Sequence, residues 1–189
     1  MNLRTVATTV LLFAAGAAQA ASLTLVPSAA SVAPNGSFTV NLFLDATDAL
    51  PDSTGGLYGG GLVLDFNPAL LTYGGFTLAS GLSFYENPVV ATSGGAQTVT
   101  FGFDNAAENG LVGTFSFTAI GPVGSLATLG LADADDFSGS FASYVPKYQR
   151  FFPSFGEAEV SIVPLPAGVW LLGTAVGALV VRQRRRVRD

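Results

Sequence analysis

The stretch Gly59–Tyr73, "GGGLVLDFNPALLTY", decides how this chain is to be read. Leu62, Leu64 and Phe66 recur at every second residue, with Val63 and Asp65 between them, which is the period of a strand with one buried face. Asn67-Pro68 then stops the strand. Proline has no N–H to give to the ladder, and asparagine turns the backbone through its own side chain. Leu70 or Leu71 follows, placed to fold back as a plug over the open end of the strand's sheet. The three glycines at the start lead into a strand rather than a helix. They therefore read as a bulge or an edge crossing, not as a loop that cradles phosphate.

Working outward, the same pattern repeats. "SLTLVP" (22–27), "SFTVNLFLDA" (37–46), "LYGGGLVLDF" (57–66), "QTVTFGFDN" (97–105), "LVGTFSFTAIG" (111–121), "SLATLGLAD" (125–133) and "EAEVSIV" (157–163) are all strand candidates. Phe38, Val40, Leu42 and Leu44 share one face. Val99, Phe101 and Phe103 point one way while Thr98, Thr100 and Gly102 point the other. Turn chemistry separates the runs: "PNGS" at Pro34–Ser37, and glycine pairs beginning at Gly55, Gly74 and Gly94. Almost nothing between Ala21 and Val163 has a helical period. The expectation is an all-β domain, an antiparallel β-sandwich of two packed sheets.

One turn adds a resemblance. Leu64-Asp65-Phe66-Asn67-Pro68-Ala69-Leu70-Leu71 is similar to the hydrophobic-Asp-aromatic-x-Pro-x-x-Leu turn that ends a strand in cohesin-like domains. The resemblance implies a jelly-roll sandwich of the class that binds dockerin modules in cellulose-degrading assemblies. Beyond this structural turn no residue matches a contact surface, so the fold is implied and the dockerin partner is not.

Charge narrows the partners. Six of the eight basic residues lie near the two ends of the chain, and every acidic residue except Asp189 lies between Ala21 and Val163, opposed there only by Lys147 and Arg150. So acidic a body repels phosphate backbones, and no nucleic-acid partner is expected. The chain has no Cys and no His. Without histidine the commonest general base and the commonest transition-metal ligand are missing, and neither a Ser-His-Asp nor a Cys-His site can be built. A glycosidase needs two opposed carboxylates, and no spacing here selects a pair. The reading is therefore not an enzyme.

Both ends read as targeting sequence. Arg4 provides a positive start, Val6–Ala15 an apolar core, and Ala18-Gln19-Ala20 the small residues at −3 and −1 that signal peptidase accepts. Cleavage is expected after Ala20, with residues 1–20 as signal peptide and Ala21 as the mature start. At the other end, Leu165–Val181 carries no charge and would span about 25 Å as a helix, near the lower limit for crossing a bilayer. Trp170 suits the outer interface. Arg182, Arg184, Arg185, Arg186 and Arg188 form a stop-transfer cluster that holds the C-terminus in the cytoplasm.

The order of a proline motif, an apolar helix and an arginine cluster resembles the PEP-CTERM sorting signals of Gram-negative exporters. The motif Val163-Pro164-Leu165-Pro166-Ala167 matches the VPLPA variant, with Leu165 where the name-giving motif has Glu. The resemblance implies that an exosortase, a membrane transpeptidase-like enzyme, recognises residues 163–167 and removes the helix. A permanent single-span anchor is the other reading of residues 163–189. Two prolines in three residues keep the motif extended and accessible in either case.

Two further clusters carry possible chemistry in the ectodomain, residues 21–162. Asp133, Asp135 and Asp136 in "DADD", with "DNAAEN" at Asp104–Asn109, offer hard oxygen ligands that would suit Ca²⁺ or stand simply as solvated loop charges; Phe137 breaks an EF-hand pattern. No other cofactor is expected. "SYVPKYQRFFPSFG" gathers Tyr144, Tyr148, Phe151, Phe152 and Phe155 around Lys147 and Arg150. Tyr144, Tyr148 and Phe152 would stack on sugar rings if exposed, and would add to the core if the loop lies across the sandwich. Together these readings give an exported, non-catalytic protein, held briefly at the inner membrane with its N-terminal domain outside, then sorted to the cell surface or extracellular matrix. By the family resemblance that matrix is exopolysaccharide or biofilm. The expected partners are signal peptidase, an exosortase-type enzyme, the membrane through the C-terminal helix, and a polysaccharide or another surface protein. The alternatives are a permanently anchored envelope binding protein and a secreted carbohydrate-active enzyme.

Overall fold

Alternation in the sequence becomes burial in three dimensions. Phe38, Val40, Leu42 and Leu44 are all buried, as are Leu62, Leu64 and Phe66, and Val99, Phe101 and Phe103. A computed structural model describes residues 21–47, 57–134, 141–144 and 147–164. Its strands are β1 (Ser22–Pro27), β2 (Ser31–Val32), β3 (Ser37–Asp45), β4 (Tyr58–Phe66), β5 (Leu71–Leu78), β6 (Ser83–Ser93) and β7 (Ala96–Ala106). They continue with β8 (Asn109–Ala119), β9 (Leu126–Asp133), β10 (Ala142–Ser143), β11 (Gln149–Arg150), β12 (Ser154–Phe155) and β13 (Ala158–Ile162). Among the described residues they form two sheets. One runs β12-β1-β3-β8-β5. In the other, β4 has β7 and then β6 on one side. Its other side is shared by β9, along Leu62–Phe66, and β10, along Tyr58–Gly59. β13 and β2 extend beyond β9, and β11 beyond β10.

The sheets are not wholly antiparallel, as the sequence had led one to expect. Two short pairs, β1 with β12 and β13 with β2, run parallel. Both arise where the chain changes sheet: β1 and β2 lie on opposite sheets, as do β12 and β13. A strand that crosses from one layer to the other meets its new neighbour in whatever direction the crossing imposes, and such corners close the sandwich.

Aromatic rings fill the space between the layers. Phe76 of β5 lies 4.4 Å from Phe101 of β7, Phe66 of β4 5.2 Å from Phe117 of β8, and Phe101 5.8 Å from Phe115. On β8 a bulge adjusts the register. Leu42 pairs with Gly113 but Phe43 with Leu111, so Val112 is an extra residue. Val112 and Phe115 are three apart yet both buried. Strict alternation would turn one of them to solvent, and the bulge supplies the missing half-step.

The Asn67-Pro68 turn works as its residues dictate. The Ala69 N–H donates to Asn67 Oδ1 at 2.9 Å, and the N–H groups of Leu70 and Leu71 donate to the Asn67 carbonyl at 3.1 Å each. Leu71 is the buried plug, at the start of β5. Leu70 is half-buried and packs against Gly121.

Two positions in this core matter for stability. Gly60 faces inward, and the ring of Phe141 occupies the place a Cβ would take there. The Tyr73 hydroxyl is buried without a hydrogen-bond partner, beside Phe66 and Phe117, and burial pushes its pKa up. An unpaired buried hydroxyl is a net loss on folding. Tyr73→Phe is therefore expected to stabilise the domain by about 1 kcal/mol, a rise of several degrees in Tm by calorimetry. A lower Tm would show that the hydroxyl is satisfied in solution.

Candidate ligand-binding face

The outer surface of the sheet built on β4 is assembled around two glycines. Phe101 and Phe103 turn to the core, so Gly102 between them faces out; Tyr58 and Gly60 do the same for Gly59. With no Cβ, each leaves bare backbone that a neighbour covers. Tyr85 of β6 lays its ring on Gly102, with Cζ, Cε1 and Cε2 all where a Cβ would stand. Over Gly59 lie Asp104 Oδ1 and, at 3.1 Å from the Cβ position, Tyr144 Cε2.

Irregular pairing places these groups. Between β4 and β7, Tyr58 pairs with Ala106 but Gly60 with Phe103, which leaves Asp104 and Asn105 together opposite Gly59. Asn105 takes a left-handed φ of 67°, a conformation asparagine tolerates better than most residues. Its Nδ2 is anchored on Ser83 Oγ at 2.9 Å. Between β6 and β7, Phe84 pairs with Phe103 and Glu86 with Gly102, so Tyr85 is the extra residue. Glu86, opposite Gly102, shares the outer face.

The face is acidic and its hydroxyls hold their protons. Burial, then the neighbouring Tyr144, Glu86, Asp104 and Asp133, pushes the Tyr85 pKa up to about 12. Tyr144 is raised by burial first, then by the charge of Asp104, by Tyr148 and by a hydrogen bond with Asp104. At neutral pH both phenols are donors. Asp104 Oδ1 is buried and has no hydrogen-bond partner. Beyond Tyr144, the Tyr148 ring stands 6.0 Å away at 56°, and Tyr148 Oη accepts from Arg150 Nε at 3.1 Å.

The aromatic cluster seen in the sequence divides between core and surface. Phe151 is buried between Tyr58 and Phe141, each ring 5.7 Å away, and Phe155 packs on the core. Tyr144, Tyr148 and Phe152 are exposed, at 44, 56 and 69%. The division follows from pairing of β11 with β10 and from the Phe151 N–H bonding to the Phe141 carbonyl, which fixes Phe151 inward. Asp133, at the end of β9, acts on Tyr85 from the same neighbourhood as Asp104. Asp135 and Asp136 lie outside the described residues, among which no group of three or more acidic ligands comes together. Tyr85 was not singled out from the sequence. Its signal was indirect: the outward glycine in "TFGFD" needs something above it.

At the ends, Ala21 is buried and its carbonyl accepts from the Ser154 N–H at 2.8 Å. The Val163 N–H donates to the Val32 carbonyl at 2.9 Å, and Pro164 beyond it is exposed. Ala18, Ala20, Leu165, Pro166, Ala167 and the five tail arginines from Arg182 to Arg188 lie outside the described residues. Among the described residues no helix is long and apolar enough to cross a membrane, and the expected span, 165–181, falls outside them.

No protein-family model matches the sequence, and no curated protein matches it significantly. The fold, by contrast, has clear counterparts: the described domain is a cohesin-like β-sandwich. It superimposes on a cohesin module from a Clostridium perfringens family 33 glycoside hydrolase with a TM-score of 0.54 at 12% identity, covering 77% of this chain and 98% of that one. A type II cohesin domain from the cellulosome of Acetivibrio cellulolyticus gives 0.52 at 10% identity, with 75% and 95% covered. The cohesin of a type I cohesin–dockerin complex from Clostridium thermocellum gives 0.50 at 12%, with 75% and 99% covered.

Proposed function

We propose that this protein is an exported, non-catalytic binding module of the cell surface or extracellular matrix, delivered by its signal peptide and sorted through Val163–Ala167 by an exosortase-type enzyme. The observation that carries the binding role is the outer face of β6, β7, β4 and β10. There tyrosine rings and carboxylates cover a glycine floor instead of lining a cleft with two opposed acids. Exposed aromatic rings beside polar groups suit binding. Similar solved structures are cohesin modules, one of them in complex with a dockerin, which supports a binding role for such a sandwich. The sorting role rests on sequence order, and it is supported by the exposed Pro164, two residues after the end of the last strand of the sandwich.

Intact-mass and terminal-peptide mass spectrometry of the protein recovered outside the cell tests this reading. The expected species begins at Ala21 and ends within or beside residues 163–167. A membrane-bound species retaining residues 165–181 would establish a permanent anchor instead, and a soluble chain running from Met1 to Asp189 in the cytosol would falsify export altogether.

A further inference from the structure

We infer that the free edge of β6 between Val89 and Ser93 joins two copies of this chain, strand to strand, independently of the binding face above. Among the described strands the sheets end on β12 and β5, and on β6, β2 and β11. Most of these edges are blunted in the ways that keep sheets from joining. β2, β11 and β12 are two residues long. β5 is interrupted by its bulge at Gly74-Gly75, and the first half of β6 by two register shifts and Pro88. Val89–Ser93 has none of these features. It pairs regularly with Ala96–Thr100, carries no charge, and leaves Val89 and Val90 exposed, at 57 and 46%. Val90 lies opposite the buried Val99 and so points to the inner side of the sheet, and Val89 to the outer. Valine is uncovered on both.

Backbone chemistry fixes how a second copy fits. Ser93 and Ala96 flank a two-residue turn, Gly94-Gly95, with positive φ at both glycines, and so exchange both of their hydrogen bonds. Alternation from that pair turns the N–H and C=O groups of Val89, Ala91 and Ser93 toward β7, and those of Val90 and Thr92 toward the free edge. Two such edges run antiparallel complete each other when Val90 of one copy lies opposite Thr92 of the other, with the two Ala91 residues facing across the two-fold axis. Centring the pair on Val90 instead would set Pro88, which has no N–H, opposite Thr92. The favoured register is its own complement, so the occupant is a second copy. Charge allows the approach. Asn87–Phe103 carries no charged residue, although the body around it is acidic. In that register the two Glu86 residues stand ten positions apart along the strands, roughly 34 Å. The carboxylate in the row of Ala91 and Thr98 is Asp65. The two Asp65 residues would be five inter-strand steps apart, about 24 Å, or about three Debye lengths at physiological salt.

Sedimentation of the chain as recovered from its host, over a range of concentrations and in detergent if residues 165–181 are retained, tests this. A concentration-dependent dimer is expected, weak because the paired stretch is short. Val90→Lys should abolish it by placing an ammonium on the edge, and should leave Tm within a few degrees because the side chain is half-exposed. Cysteine substitution reads the register, since the chain has no cysteine of its own. With diamide as oxidant, Ala91→Cys should link two copies: a directly opposed pair without hydrogen bonds has a Cα separation of about 4.5 Å, within reach of a disulfide. Val89→Cys should not, because the two sulfurs would be four residues out of register, about 14 Å apart. A monomer at every concentration, a dimer that survives Val90→Lys, or linkage of Val89→Cys as fast as Ala91→Cys would each overturn the inference. A monomer whose β6 edge takes up a strand of another protein would overturn it as well.

Discussion

Phe101→Ala is expected to bring the domain close to unfolding. Phe101 is fully buried at the centre of β7, with Phe76 at 4.4 Å from the facing sheet and Phe115 at 5.8 Å. Truncation removes its apolar surface from the core and leaves a cavity that two sheets held by many other contacts cannot close. Such changes cost about 3–5 kcal/mol. A domain of this size has about 5–15 kcal/mol in total. Urea unfolding followed by circular dichroism should show a large drop in midpoint. A midpoint within experimental error of the parent would mean that the two sheets do not meet at Phe101.

Gly60→Val should be nearly as damaging, for the opposite reason. The position a Cβ would occupy is filled by the Phe141 ring. That ring is fully buried and hemmed by Phe103 at 6.3 Å, Phe151 at 5.7 Å and Phe155 at 5.9 Å, so it has nowhere to retreat. Overpacking of this kind costs about 1–3 kcal/mol and more for a branched side chain beside rigid rings. Gly102→Ala provides the contrast. There the displaced group is Tyr85, a half-exposed ring that can swing outward, so stability should change by no more than about 0.5 kcal/mol. The binding platform, however, would be disturbed. If Gly60→Val and Gly102→Ala prove equally destabilising, the assignment of an inner and an outer glycine face is wrong.

Much of the sandwich was legible because period-2 alternation survives in strands that bury one face. β1, β3, β4, β7, β8, β9 and β13 all lie where "SLTLVP", "SFTVNLFLDA" and their counterparts place them. The strands that escaped notice lack that pattern. β5 is interrupted by Gly74-Gly75, with φ of 134° at Gly75. β6 contains Glu86 and Pro88 and makes two register shifts against β7. Pro88 is tolerated because β6 lies at an edge, where one side of the strand has no ladder to complete. The Gly59–Gly61 run reads as a bulge or an edge crossing. A bulge is there, between Tyr58 and Gly60, but β4 has neighbours on both sides.

For the candidate face the sequence offered Tyr144, Tyr148 and Phe152 as a group with Phe151 and Phe155, and a choice between core and surface. Neighbours in a chain alternate sides only when a strand fixes them, and β11 is just Gln149–Arg150. What sent Phe151 inward was its bond to Phe141, a residue ten positions earlier.

By itself the sequence determined the fold class, the turn at Asn67-Pro68 and the acidic body, because each depends on local periodicity, backbone chemistry or charge. Only the tertiary structure decided which aromatic rings face solvent and that Tyr85, Asp104, Asp133 and Tyr144 stand together. The physical reason is that their meeting depends on strand order and on two bulges, and register between strands distant in sequence is settled only when the whole core packs at once.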